Sequence, residues 1–218
     1  MNFDDFLAGY KPTQLEEVRK VKSINNDFSE LLEKYKLALE HNSIWALEQE
    51  TNNILSPVEI NSFLQATRQY GDHKDYSWKT GFFLSHLILN SYRVGYNHFT
   101  LQTESLPLIS GIGENIGGVK ANPLSIFVQG NTGFFYGRHA RYASFSCNGA
   151  VGEWSGSAAY HSNFRLDGEV RSKFGERASA CVFKTSIRKN IEQLRKSIPR
   201  NKHNTLIYID QGKEVIIL

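Results

Sequence analysis

The chain has 218 residues, of which 40% are hydrophobic and 22% charged. This is the composition of a globular protein long enough to bury a sizeable core, as one domain with appendages or two small ones. A net charge of +3 is too small to imply a nucleic-acid or membrane partner, and the best apolar run, GFFLSHLILNSY, is too short and too polar to span a bilayer.

The opening MNFDDFLAGYKPTQ is acidic and lacks the apolar stretch of a secretory signal. The two cysteines, Cys147 and Cys181, offer neither a disulfide framework nor a zinc pattern. The chain therefore reads as cytoplasmic, with both thiols reduced and packed in or near the core. No metal and no cofactor is expected.

Residues 1–91 read as a helical N-terminal region. Phe28, Leu31, Leu32, Tyr35 and Leu39 fall on one helical face, with Asp27 and Glu30 as a capping box. Ser56-Pro57-Val58-Glu59 is the strongest start signal: an N-cap serine, proline at the first helical position and glutamate at the third. That helix carries Ile60, Phe63, Leu64 and Thr67 and should stop near Gly71. A third helix is predicted from Trp78 to about Asn90, with Phe82, Phe83, His86 and Leu87 clustered. NHFTLQT and LPLIS then read as strands.

Residues 92–186 are dominated by a repeat. Gly130, Gly149 and Gly168 stand 19 residues apart and open the units GNTGFFYGRHARYASFSCN, GAVGEWSGSAAYHSNFRLD and GEVRSKFGERASACVFKTS. A fainter unit, GIGENIGGVKANPLSIFVQ, opens at Gly111. The eighth position of each is Gly118, Gly137, Gly156 or Gly175. The eleventh is Ala121, Ala140, Ala159 or Ala178, and the sixteenth is Ile126, Phe145, Phe164 or Phe183. A recurring glycine marks positive φ or a close backbone approach, alanine a narrow interior, and phenylalanine a stacked rung. Val128, Cys147, Leu166 and Thr185 follow two places later, the spacing of a strand with one face inward. Gln129, Asn148, Asp167 and Ser186 close the units as turn formers. A fixed short period of strands and glycine corners predicts a stack of about four coils, a short parallel β-helix.

The glycine plan resembles the GXGXG domain, the right-handed β-helix at the C-terminus of the glutamate synthase large subunit, and the similar subunit of formylmethanofuran dehydrogenase. Gly130, Gly133, Gly137 and Ala140 fit that plan, as do Gly149, Gly152, Gly156 and Ala159. Arg171 and Glu114 depart from it, both in terminal units, where repeats are usually atypical. The resemblance covers about residues 105–186. It implies a right-handed parallel β-helix that serves as scaffolding between catalytic domains. The fold class expected is thus mainly β with helical appendages.

Residues 187–218 read as a C-terminal cap: a basic helix from Ile187 to about Ser197, broken by Pro199, then the hairpin LIYIDQGKEVIIL around Gln-Gly-Lys. Flanking helices and a hairpin would cover the open ends of the stack.

Several constellations carry possible chemistry. Gly111-Ile112-Gly113-Glu114-Asn115-Ile116-Gly117 superficially matches a dinucleotide fingerprint, but its third glycine is one place late and no helix can continue through Pro123. Gly152-Glu153-Trp154-Ser155-Gly156 misses a nucleophile elbow by one place. His139 and His161, with Arg138, Arg141, Tyr142, Tyr160, Glu176 and Arg177, form the densest polar-aromatic cluster, to be laid out as ladders on one outer face. That cluster is either a surface for an anionic group or a solvated face. Phe134, Phe135, Tyr136, Trp154 and Phe174 crowd one stretch of each unit and cannot all point inward. Docking of residues 1–91 on some of them is the simpler account, an interface the other. Lys184, Arg188, Lys189, Arg195, Lys196, Arg200 and Lys202 form a basic run without a recognition motif.

The leading functional expectation is a non-catalytic structural or interaction module whose partner is another protein or a second copy of the chain. The alternative is an enzyme, hydrolase or lyase, using His139, His161, Glu153 and Glu176 in a groove of the stack. The third is nucleic-acid binding through the basic C-terminal segment, which the modest charge argues against.

Overall fold

The computed structural model describes residues 28–40 and 53–218. The Asp27 cap, the opening segment and the helical expectation for 1–27 and 41–52 lie outside the described residues. Helix α1 (Ser29–Glu40) buries Leu31, Tyr35, Ala38 and Leu39. Helix α2 (Pro57–Ala66) starts on the predicted capping box: Glu59 N–H donates to Ser56 Oγ (3.3 Å) and Ser56 N–H to Glu59 Oε2 (2.8 Å). Reciprocal satisfaction of two orphan donors fixes that start. A 3-10 turn (Thr67–Tyr70) follows, and helix α3 (Tyr76–Arg93) extends beyond the predicted Trp78–Asn90 at both ends.

Among the described residues seven strands form one sheet in chain order: β1 (His98–Gln102), β2 (Leu124–Gln129), β3 (Ala143–Cys147), β4 (Asn163–Leu166), β5 (Val182–Thr185), β6 (Thr205–Asp210) and β7 (Lys213–Ile216). β1 to β6 pair in parallel, and β7 returns antiparallel on β6. The molecule is thus a mixed α/β arrangement on a mostly parallel sheet. Leu106–Ser110 is not a strand, contrary to the sequence expectation. Its backbone groups pair singly, Ser110 N–H to Ser77 and Ile109 carbonyl from Gly133, so no ladder forms.

The 19-residue period is the register of the sheet from β2 to β5. Ile126 stands opposite Phe145, Phe145 opposite Phe164, and Phe164 opposite Phe183. The Phe145, Phe164 and Phe183 rings stack at 5.2 and 5.3 Å, each pair within 9° of parallel. Tyr136 and Phe174 meet this column edge-on. Two further parallel columns run through isolated bridges: Thr132–Val151–Val170, and Gly117–Arg141–Tyr160–Ser179.

The glycine columns divide by cause. At the eighth position, Gly137, Gly156 and Gly175 have φ of 63°, 62° and 68°, and a Cβ there would press on the Phe rings. At the opening position the cause is close approach: a Cβ on Gly149 would lie 2.3 Å from the Gly130 carbonyl oxygen, and one on Gly168 1.9 Å from that of Gly149.

The first unit departs from the alignment drawn from sequence. Gly118 has no positive φ and Ala121 is exposed, so neither stands in the column assigned to it. Gly117 bridges Arg141, which places Gly113 (φ 70°), not Gly118, level with Gly137, and a Cβ on Gly113 would strike the Phe145 ring at 2.5 Å. Ile116, 2% exposed, takes the inward place of Ala140. Residues 119–123 are an insertion between corner and strand, closed by a Val119–Asn122 bridge. The 19-residue offset between β2 and β3 hides the insertion from a period count.

Both ends of the stack are covered. Helix α3 docks on the first corner through Ser85, whose Oγ donates to the Gly111 carbonyl (3.1 Å) and accepts from Gly113 N–H (2.8 Å). Gly81 permits this approach, since a Cβ there would lie 1.8 Å from the Ser110 carbonyl oxygen. Helix α2 covers the free edge of β1: Asn61 Oδ1 accepts from Gln102 N–H and Gln65 Nε2 donates to Gln102 O. At the other end, helix α4 (Arg188–Ser197) inserts buried Asn190 between Val170 N–H and Gly168 O. The predicted hairpin turns at Gln211-Gly212, both at positive φ (47° and 81°), the backbone that a two-residue turn between right-twisted strands requires. Among the described residues no strand pairs with the outer edge of β7, and Val215 is 45% and Ile216 71% exposed. One contiguous core runs from Leu31 of α1 through the sheet to Leu206 of β6.

Candidate functional site

The side chains singled out from sequence sit on the turns between the Thr132–Val151–Val170 bridges and the sheet. Three columns of these turns are left-handed without glycine. They are Phe135, Trp154 and Lys173 at the sixth position; His139, Ala158 and Arg177 at the tenth; and Tyr142, His161 and Ala180 at the thirteenth, all with φ between 47° and 64°. Each such residue costs about 1–2 kcal/mol. Left-handed strain often marks function, but here Ala and Lys share the columns with His and Tyr, so the strain belongs to the architecture. Its compensation is visible: Phe135, His139 and Tyr142 N–H groups donate to the next unit, at Glu153 O, Ser157 O and Tyr160 O, while Gly156 and Tyr160 donate back to Tyr136 O and Ala140 O.

The two histidines have different surroundings. His161 is stacked on Tyr142 (5.2 Å, 9°) and meets Tyr160 edge-on (4.1 Å), with Tyr160 42% exposed. His139 lies in a cationic setting. Partial burial pushes its pKa down, and Arg138, Arg177 and Arg141 push it the same way. Among the described residues no ring contact joins His139 to His161. Glu176 enters a separate cleft of about 280 Å3 against α4, with Ser172, Lys173, Gln193, Lys196 and Ser197. Glu153 stands beside Trp154, whose ring carries the Lys173 ammonium at 4.2 Å. The acid-base set expected for an enzyme is therefore spread over separate places.

Ser155 is fully buried, with Oγ donating to Gly152 O (2.9 Å) and accepting from Tyr136 N–H (3.1 Å); it is a corner fastener. Burial pushes the Cys147 and Cys181 thiols each up to about 11. The basic run is also thinner than its sequence: Lys184 is 4% exposed and paired to Glu214 (2.5 Å), and Lys189 is paired to Glu169. Of the crowded aromatics, Tyr136 and Phe174 point inward and Phe135 packs on Trp78 of α3 (5.1 Å), while Phe134 remains 47% exposed.

Two features escaped the sequence reading. The corrected register stacks Glu114 directly on Arg138, and they pair at 2.9 Å with the carboxylate side chain only 2% exposed. Burial pushes the Glu114 carboxyl up, and the Arg138 guanidinium, lying 4.3 Å over the Phe135 ring, pulls it back down. The second is a cleft of about 260 Å3 under the 119–123 insertion, lined by Lys120, Pro123, Tyr142, Ala143, His161 and Asn163. Aligning Gly111 and Gly113 on Phe135 and Gly137 would have exposed both. Among the described residues no group of three His, Cys, Asp or Glu is placed to hold a metal, and no helix is long and apolar enough to cross a membrane. No known protein family, no curated protein and no solved structure matches this chain.

Proposed function

We propose that the chain is a non-catalytic structural or interaction module built on a short right-handed parallel β-helix of the GXGXG type, working in the cytoplasm with another protein or a second copy of itself. The observation that carries this reading is the constant 19-residue register through three successive strand pairings, with matching bridges at two other columns. Repetition of that kind makes a rigid body with flat ladders and no obligatory pocket. The dispersal of His139, His161, Glu153 and Glu176 supports it further. The partner's place is the outer edge of β7, the sheet edge that no helix covers among the described residues, where added strands would pair.

Light scattering on the full chain, alone and with a candidate partner, tests the reading. A stable complex that is lost when Ile216→Lys is introduced is the expected result. Turnover of any substrate in a hydrolase and lyase screen, abolished by His139→Ala or His161→Ala, overturns it.

A further inference from the structure

We propose that the cleft under residues 119–123 is a ligand site for a small molecule that joins a phosphate to a planar ring, a nucleoside monophosphate in chemical class. This goes beyond the scaffold reading and does not depend on it.

The cleft has a built wall. Residues 119–123 are held on both sides of Lys120: Val119 N–H donates to Tyr92 Oη (2.9 Å), Tyr92 Oη donates to Asn122 O (2.5 Å), and Asn97 Nδ2 donates to Asn122 Oδ1 (2.5 Å). The Lys120 backbone is thereby fixed over the opposite wall before any ligand arrives, which lowers the ordering cost of binding. The opposite wall is the stacked, near-parallel Tyr142–His161 pair with Tyr160 against the His161 ring edge-on.

The charge is one-sided. Among the described residues no carboxylate lines the cleft. The Lys120 side chain, which lines it, has no hydrogen-bond or ion-pair partner among the described residues. Asn163 adds an amide whose one bond, to Ser144 Oγ, is long at 3.5 Å.

An ammonium group facing aromatic rings suits an anion attached to a ring. A bare anion would leave the ring wall unused, and a neutral ring would leave Lys120 unmatched. The volume of about 260 Å3 is just under the usual range for ligand pockets, about 300 Å3 upward. It seats the phosphate and part of the ring system, with the remainder in solvent.

Calorimetric titration of the full chain with AMP, inorganic phosphate and adenosine separately tests this. AMP should bind at one saturable site, about tenfold or more tighter than either fragment. Lys120→Ala and His161→Ala should each weaken AMP about tenfold, and Lys196→Ala in the other cleft should not. The His161→Ala backbone is safe, because Ala180 already occupies that column at φ 53°. No saturable AMP binding, equal affinity for phosphate alone, or indifference to Lys120→Ala overturns the proposal. A single-stranded oligonucleotide that displaces AMP would identify a strand end as the source of the same phosphate and ring; no displacement would leave the free nucleotide as the source.

Discussion

Glu114 and Arg138 illustrate how far a single residue's behaviour depends on its level in the stack. Burial raises the folded-state pKa of Glu114 above its ordinary value of 4.5. A raised carboxyl binds its proton more tightly folded than unfolded, so its contribution is fully present below the unfolded pKa and is lost as pH rises through the folded one. Removing Arg138 takes away the one group that counters this. Arg138→Ala should cost about 2 kcal/mol at neutral pH, less than for a fully buried pair because the arginine is partly exposed. The deficit should shrink as pH falls toward 4.5. Urea unfolding at both pH values checks it, and a deficit that grows on acidification would refute the account. The glycines divide in the same way. Gly168→Ala drives a Cβ into the Gly149 backbone and should cost about 3 kcal/mol. Gly212→Ala has open space at φ 81° and should cost about 1 kcal/mol. Equal costs would mean that close approach is not what selects glycine at the opening position.

At the scale of elements, the stacked phenylalanines hold successive strands in register. Phe164 lies between two parallel rings and meets Phe174 edge-on. Phe164→Ala should cost about 3–5 kcal/mol. Phe134→Ala, on an aromatic that is nearly half exposed, should stay within about 0.5 kcal/mol. Thermal melts of the pair distinguish a packed column from a general aromatic preference. The helices act mainly as covers: α3 closes the first corner through Ser85, α2 the β1 edge through Asn61 and Gln65, and α4 the last unit through Asn190. Each supplies a side-chain donor or acceptor where the next unit's backbone would have stood.

For the whole molecule, repetition makes a modular prediction. Deleting residues 149–167 joins Asn148 to Gly168 and keeps every column in place. Deleting 149–157 alone turns inward residues outward. The first variant should give a cooperative melt and retain near-UV dichroism, and the second should do neither. Comparable damage from both would sink the coil-stack reading.

Period, strand face and helix starts were legible in the sequence because they depend on local chemistry. A glycine column, an alternating strand and a Ser-Pro-x-Glu cap each act within one unit or one turn. The 19-residue spacing alone determined which phenylalanines stack, and Gln211-Gly212 alone determined the closing hairpin. The tertiary structure decided what lies between units. A local pattern cannot say which corner of one unit rests on which corner of the next, so the 119–123 insertion, the true partner of Gly137 and the Glu114–Arg138 pair were hidden. It also decided that His139 and His161 keep separate company and that Lys120 closes a cleft over Tyr142 and His161. Those contacts join residues far apart in the chain, and only the close packing of one unit on another brings them together.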